Sequence, residues 1–169
     1  ATVMSNLGLH MFAQEYGLNL ECTDVGDRNV LEKMLERGYA LGGEQSGHMI
    51  FRDYATTGDG QLTALQVLAL LKESGKKASE VFGTCARYPQ VLINVPVADN
   101  DVKKAVMANP ALWEAVKAEE EMLAGSGRIL VRPSGTEALM RVMVEAKTEE
   151  AAQQAARRLA DRIPSLAEG

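Results

Sequence analysis

Two apolar runs, Gly127–Arg132 and Leu139–Ala146, flank one short segment carrying Pro133, Ser134 and Gly135. Branched and long aliphatic residues on both sides of a Pro-Ser-Gly turn predict a β-hairpin, and so an antiparallel sheet. A further strand is expected at Val91–Val97. Helices are expected over Val102–Met107, Pro110–Ala124 and Glu149–Ile163. Few strands and several helices make this half α+β: a small antiparallel sheet with helices on one face.

The first half alternates more evenly. Ala1–Ser5 and Leu18–Thr23 read as strands around a helix, Leu7–Tyr16, stopped by Gly17. Asn29 and Glu32 have capping-box spacing, and the helix they open carries Val30, Leu31, Met34 and Leu35 before ending at Gly38. Tyr39–Gly42 and His48–Arg52 read as strands around a polar loop. The helix Gln61–Ser74 is apolar at 62, 65, 67, 68, 70 and 71, wide enough to be expected between a sheet and another element. This half is α/β, a mixed sheet with flanking helices. Arg87-Tyr88-Pro89 breaks the pattern, which places domains at 1–86 and 88–169.

Charge narrows the partners. Eighteen basic against 23 acidic side chains give a net charge of −5, a poor match to a polyphosphate backbone, so no nucleic acid is expected. Any bound anion is small and held locally. Cys22 and Cys85 form no C-x-x-C pair and read as reduced, buried or half-buried small hydrophobic side chains. No apolar run approaches the roughly 18 residues of a membrane span, so no membrane partner is expected. The start, ATVMSNLGL, has no basic n-region and no initiating Met. It reads as a cut from a longer cytoplasmic protein.

Two segments carry chemistry. In Arg132-Pro133-Ser134-Gly135-Thr136, Arg132 offers a planar fork of donors, Ser134 and Thr136 offer hydroxyls, and Gly135 frees the backbone to close around an oxyanion. The same residues also suit an ordinary hairpin turn with a salt-bridged arginine. In Gly42-Gly43-Glu44-Gln45-Ser46-Gly47-His48, a carboxylate, an amide, a hydroxyl and an imidazole fall within five residues. That mix hydrogen-bonds a polyol, with Glu44 and His48 as an alternative base and acid, and it equally suits a polar turn. Val25-Gly26-Asp27-Arg28 opens a helix, as an anion site or simply a cap. Gly58-Asp59-Gly60 reads as a helix start, since one carboxylate is too few for a metal.

These segments, in this order and followed by Arg141 in RVMVEA, resemble the α-D-phosphohexomutase superfamily. The wording is most similar to the C-terminal half of its branch acting on glucosamine phosphates. The resemblance implies the third domain, begun part-way, and the fourth domain of a four-domain enzyme. It implies interconversion of glucosamine 6-phosphate and glucosamine 1-phosphate through a phosphoserine and a bisphosphate intermediate. By position, Glu44, Ser46, His48 and Arg28 would contact the sugar. Arg132, Ser134, Gly135, Thr136 and Arg141 would contact phosphate. Implied partners are a hexosamine phosphate or bisphosphate, the preceding domains of the same protein, and a second copy of the parent in a homodimer. Mg²⁺ is implied for the parent, bound outside this chain, with no metal ligand here.

Departures from the family pattern qualify this. Neither a Ser-His-Asn phosphoserine loop nor a D-G-D-x-D-R metal loop occurs in the 169 residues, so no catalytic residue is assigned and the chain alone is expected to be inactive. Ala138 stands where the family usually has Pro. Phosphomannomutase or phosphoglucomutase specificity, or a non-catalytic sugar-phosphate-binding module, are the alternatives.

Overall fold

Helix α1 (Leu7–Glu15) begins because the Asn6 side chain accepts the Gly8 amide at 3.0 Å, satisfying a donor that the first turn leaves unpaired. It ends with Leu18 N–H on the Ala13 carbonyl at 2.8 Å and Gly17 N–H on that of Gln14 at 3.3 Å. This is a Schellman closure, with Gly17 one residue beyond the cap. The computed structural model describes residues 1–167, and the chain forms two units divided between Arg87 and Tyr88.

In the first unit the two expected opening strands shrink to one parallel bridge, Thr2 to Thr23. Val3 N–H reaches the Thr23 carbonyl at 2.8 Å and Thr23 N–H the Ala1 carbonyl at 3.0 Å. The ladder stops there because Met4 N–H bonds the Thr2 hydroxyl and Ser5 N–H the Thr2 carbonyl, turning the chain away.

The capping box expected between Asn29 and Glu32 does not form either. Helix α2 (Asp27–Arg37) starts three residues earlier, after Gly26 at φ +128°, a conformation that excludes other residues. Asn29 therefore lies inside the helix and donates to the Val25 carbonyl at 3.0 Å. Val30 and Met34 from α2 pack against Ile50 with Leu31 and Tyr39 around them, while Leu35 is exposed.

Strands β1 (Leu41–Gly43) and β2 (Met49–Phe51) pair antiparallel, Gly42 opposite Ile50. A Cβ on Gly42 would run into Met34 Sδ and stand 2.8 Å from Val30 Cγ1, so the missing side chain lets α2 sit on the hairpin. Helix α3 (Gly60–Ser74) is capped by Asp59, whose carboxylate accepts the Gln61 and Leu62 amides at 2.9 Å, the helix start expected of Gly58-Asp59-Gly60. The expectation that α3 is enclosed on two sides fails. None of its residues is buried, and Leu65 and Leu68 are largely exposed. A short helix, α4 (Ala78–Val81), follows.

The second unit contains β3 (Gln90–Pro96), α5 (Asn100–Ala108), α6 (Pro110–Met122), β4 (Gly127–Pro133), β5 (Leu139–Ala146) and α7 (Glu149–Ala167). The sheet is antiparallel throughout, in the order β3-β5-β4. Strand alternation sends Val95, Ile129, Val131, Met140, Val142 and Val144 into a core shared with the helices. From α7 that core takes Ala152, Ala155, Ala156, Leu159 and Ile163, a stripe at three- and four-residue spacing. α7 does not stop at Ile163 but runs on through Pro164, because in the last turn a missing N–H forfeits only one helical bond. The opposite face of the sheet carries cross-strand rows, among them Asn94–Arg141–Arg132 and Gln90–Glu145–Arg128. An α/β unit followed by an α+β unit is the architecture the sequence implied.

Candidate functional site

The loop between β1 and β2 is shaped by its own backbone. Glu44 N–H donates to the His48 carbonyl at 2.9 Å, and Gly47 N–H to the Glu44 carbonyl at 3.0 Å. The Glu44 side chain is only 11% exposed, whereas that of His48 is 65% exposed. Glu44 Oε1 accepts the Gly26 amide at 3.0 Å, while Oε2 stands 3.7 Å from His48 Nδ1. Ser46 Oγ lies 3.4 Å from the same nitrogen. Glu44, Ser46 and His48 thus form one cluster, in which Ser46 and His48 are exposed and the Glu44 carboxylate is largely covered. Gly58 lies beside it: a Cβ there would meet His48 Cβ at 3.5 Å. A cleft lined largely by apolar side chains, including Leu9, Leu20 and Leu41, opens next to Gly43, Glu44 and Gln45.

Arg28 is not part of this cluster. Its Nε donates to Glu32 Oε1 at 2.9 Å, one turn along α2, and the side chain is 87% exposed. The Val25–Arg28 segment meets the 44–48 loop through the Gly26 amide.

The loop between β4 and β5 is braced from inside. Ser134 is buried, and its hydroxyl oxygen accepts the Glu137 amide at 3.2 Å and Arg141 Nη2 at 3.4 Å. Arg141 Nη2 also pairs with Glu137 Oε2 at 3.0 Å, and its Nε is buried with no partner among the described residues. Ser134 therefore shapes the turn, whereas Gly135 and Thr136 are exposed at its tip. The half-buried Arg132 side chain forms no ion pair or hydrogen bond among the described residues, so its donor fork is open. The sheet register sets Arg132 directly opposite Arg141. Sequence reasoning missed Lys103 of α5, whose Nζ donates to the carbonyls of Ser134 at 2.8 Å and Glu137 at 2.9 Å. Next to Lys104 on a helix it reads as one of two solvated charges, and no local signal marks it as buried.

Among the described residues no three His, Cys, Asp or Glu side chains converge. No helix among them is long and apolar enough to cross a membrane.

Comparison with known proteins agrees with this division. Residues 1–88 match the family described as phosphoglucomutase/phosphomannomutase, alpha/beta/alpha domain III, and residues 92–162 match its C-terminal domain. Phosphoglucosamine mutase of Caldicellulosiruptor saccharolyticus is 56% identical over 97% of this chain and 36% of its own length. That of Pelotomaculum thermopropionicum is 58% identical over 86% of this chain and 32% of its own. The chain spans about a third of the length of these relatives. Aspergillus fumigatus N-acetylphosphoglucosamine mutase shares the fold, with a TM-score of 0.82 at 22% identity over 98% of this chain and 38% of that one. A structure of the same fungal enzyme in complex with GlcNAc-6P and magnesium matches at a TM-score of 0.75 and 21% identity, over 96% of this chain and 40% of that one. With both of its units matched in order, the chain belongs to the phosphoglucomutase/phosphomannomutase family and carries its domain III and C-terminal domain.

Proposed function

We propose that the chain supplies sugar recognition and distal phosphate anchoring to an enzyme that interconverts glucosamine 6-phosphate and glucosamine 1-phosphate. The observation that carries this reading is the open Arg132 fork beside an exposed Gly135–Thr136 tip on a braced turn. Arg132 engages two phosphate oxygens in plane, and the Gly135 and Thr136 amides and the Thr136 hydroxyl take the others. Arg141 adds a second cation, while Ser134 keeps the turn in shape. Each charge-assisted bond is worth about 1.5–3 kcal/mol, enough for this cup to hold a phosphate ester without metal.

In the first unit, His48 and Ser46 donate to and accept from sugar hydroxyls. Glu44 accepts one on Oε2 while Oε1 stays on Gly26. Arg28 is free to reach a ligand only by leaving Glu32. Binding the non-reacting phosphate orients the reacting one, which turns remote binding energy into positioning. The phosphoserine that exchanges phosphate, and the Mg²⁺ that supplies charge stabilisation to phosphoryl transfer, belong to preceding domains of the longer protein. That protein works in the cytoplasm as a homodimer, and the bisphosphate is its intermediate. The glucosamine assignment rests on the names and high identity of the bacterial relatives.

The test is reconstitution. The chain is co-expressed with the remaining two-thirds of the Caldicellulosiruptor saccharolyticus relative, and hexose phosphate conversion is followed by ³¹P NMR. The reading expects glucosamine 6-phosphate to convert faster than mannose 6-phosphate, and neither to convert with the chain alone. Faster turnover of mannose 6-phosphate would transfer the assignment to a phosphomannomutase.

A further inference from the structure

Three charged residues of the second unit are buried among the described residues: Lys103, Glu119 and Glu145. Two have countercharges. Glu119 receives a two-pronged contact from Arg158, Nε at 2.7 Å and Nη2 at 2.8 Å, and Glu145 is paired with Arg128 at 3.0 Å. Lys103, 6% exposed, has no carboxylate within ion-pair distance among the described residues. Lysine is among the residues least often buried unpaired, because an ammonium taken from water loses hydration that only an anion or several oxygens replace.

What Lys103 has instead is the inside of the β4–β5 turn. Asp99 caps α5 by accepting the Asp101 and Val102 amides at 2.9 Å, which fixes the helix start and presents Lys103 one turn in. From there Nζ donates to the Ser134 carbonyl at 2.8 Å and the Glu137 carbonyl at 2.9 Å. In a trans peptide the carbonyl and the next amide point in opposite directions. Drawing the Ser134 carbonyl inward therefore turns the Gly135 amide outward. Neither the Gly135 nor the Thr136 amide has an acceptor among the described residues, and both residues are exposed.

We propose that Lys103 is a positioning residue for the anion cup. It holds the turn so that the Gly135 amide faces a ligand beside the exposed Thr136 tip, and its ammonium is the buried charge that a phosphate dianion on the other side of the turn neutralises. This inference rests on the reading of residues 132–136 as a phosphate site. It adds a cation that acts through the loop backbone without touching the ligand.

The experiment titrates the chain with inorganic phosphate and glucosamine 6-phosphate by calorimetry. Wild type is compared with Lys103→Met, Lys103→Gln and Lys103→Arg, each checked for folding by circular dichroism and thermal melting. Folded Met and Gln variants should bind both ligands at least about tenfold more weakly, with Lys103→Arg recovering most of the loss. A spacer that merely filled the helix–turn gap would be replaced as well by Met as by Arg. Equal binding by wild type and the folded neutral variants overturns the role of Lys103 and leaves the cup intact. Failure of both neutral variants to fold, with Lys103→Arg folded, would make the charge a folding requirement and overturns the ligand-directed role. A folded wild type that binds neither ligand overturns the phosphate reading, and the role of Lys103 with it.

Discussion

Arg132 of β4 and Arg141 of β5 stand directly opposite each other in the sheet register, two like charges on one face. Such pairs are destabilising by a few tenths to about 1 kcal/mol. Glu137 relieves Arg141 through its 3.0 Å contact, and nothing among the described residues relieves Arg132. On the proposed reading, this uncompensated guanidinium is the one that takes the anion.

The first prediction follows from that opposition. Arg132→Met should leave the chain as stable as wild type or more stable by about 0.2–1 kcal/mol, since a like-charge neighbour is removed. The same change should weaken phosphate-ester binding by about tenfold or more, the loss of at least one charge-assisted bond. Urea denaturation and calorimetric titration of one preparation measure both. A variant that loses stability as well as binding would make Arg132 a structural residue.

Glu44 joins the two polar loops of the first unit through the Gly26 amide. Glu44→Ala leaves that amide without its acceptor and should destabilise the first unit by about 1–3 kcal/mol. Glu44→Gln keeps a carbonyl acceptor and should cost less. Hydrogen exchange at the Gly26 amide reports the bond directly, with fast exchange in Glu44→Ala.

In the second unit, Arg158 holds buried Glu119 with two bonds, and this pairing pushes the Arg158 pKa upward despite the opposing cost of partial burial. Arg158→Ala should destabilise by about 1–3 kcal/mol, because a buried carboxylate loses its partner. The figure stays below that for a fully enclosed pair because Arg158 is half exposed. Replacing both residues with apolar ones should recover part of the loss, measured in a double-mutant cycle.

Tyr39 gives the first unit a pH dependence. Burial, then the hydrogen bond it donates to Glu21 at 3.0 Å, then the Glu21 charge, raise its phenol above the ordinary value of 10.0. A raised folded-state value means the stabilisation is fully present below the unfolded value and is lost as pH rises through the folded one. Thermal stability of the first unit should therefore hold through neutral pH and fall above about pH 10. Tyr39→Phe should abolish that portion of the decline. Absorbance titration of the phenols should show one tyrosine ionising late.

Much of this was legible in advance where local signals and tertiary demands agree. The β4–β5 hairpin has a long apolar period, a strong turn and a two-sided partner set, and its bounds came out within a residue or so. The two opening strands reduce to a single bridge because β-rich composition says nothing of whether a partner strand continues beyond Thr2 and Thr23. The start of α2 is not legible in its own sequence, because Asn29 and Glu32 satisfy a local pattern while Gly26 and the distant Glu44 decide where the helix begins. Within the 132–136 turn, residue types point alike to Arg132, Ser134, Gly135 and Thr136 as anion contacts, and only the fold separates Ser134, turned inward, from Thr136 at the tip. Lys103 is the clearest case of hidden information. Its role depends on contacts with residues 31 and 34 positions away, which no spacing rule encodes.

The most direct measurement is a calorimetric titration of the chain with glucosamine 6-phosphate, mannose 6-phosphate and inorganic phosphate, with Arg132→Ala as the control. The account predicts that the amino-sugar phosphate binds most tightly and that Arg132→Ala abolishes binding of all three. Equal binding of the three by wild type, or an Arg132→Ala variant that binds as well as wild type, would contradict it.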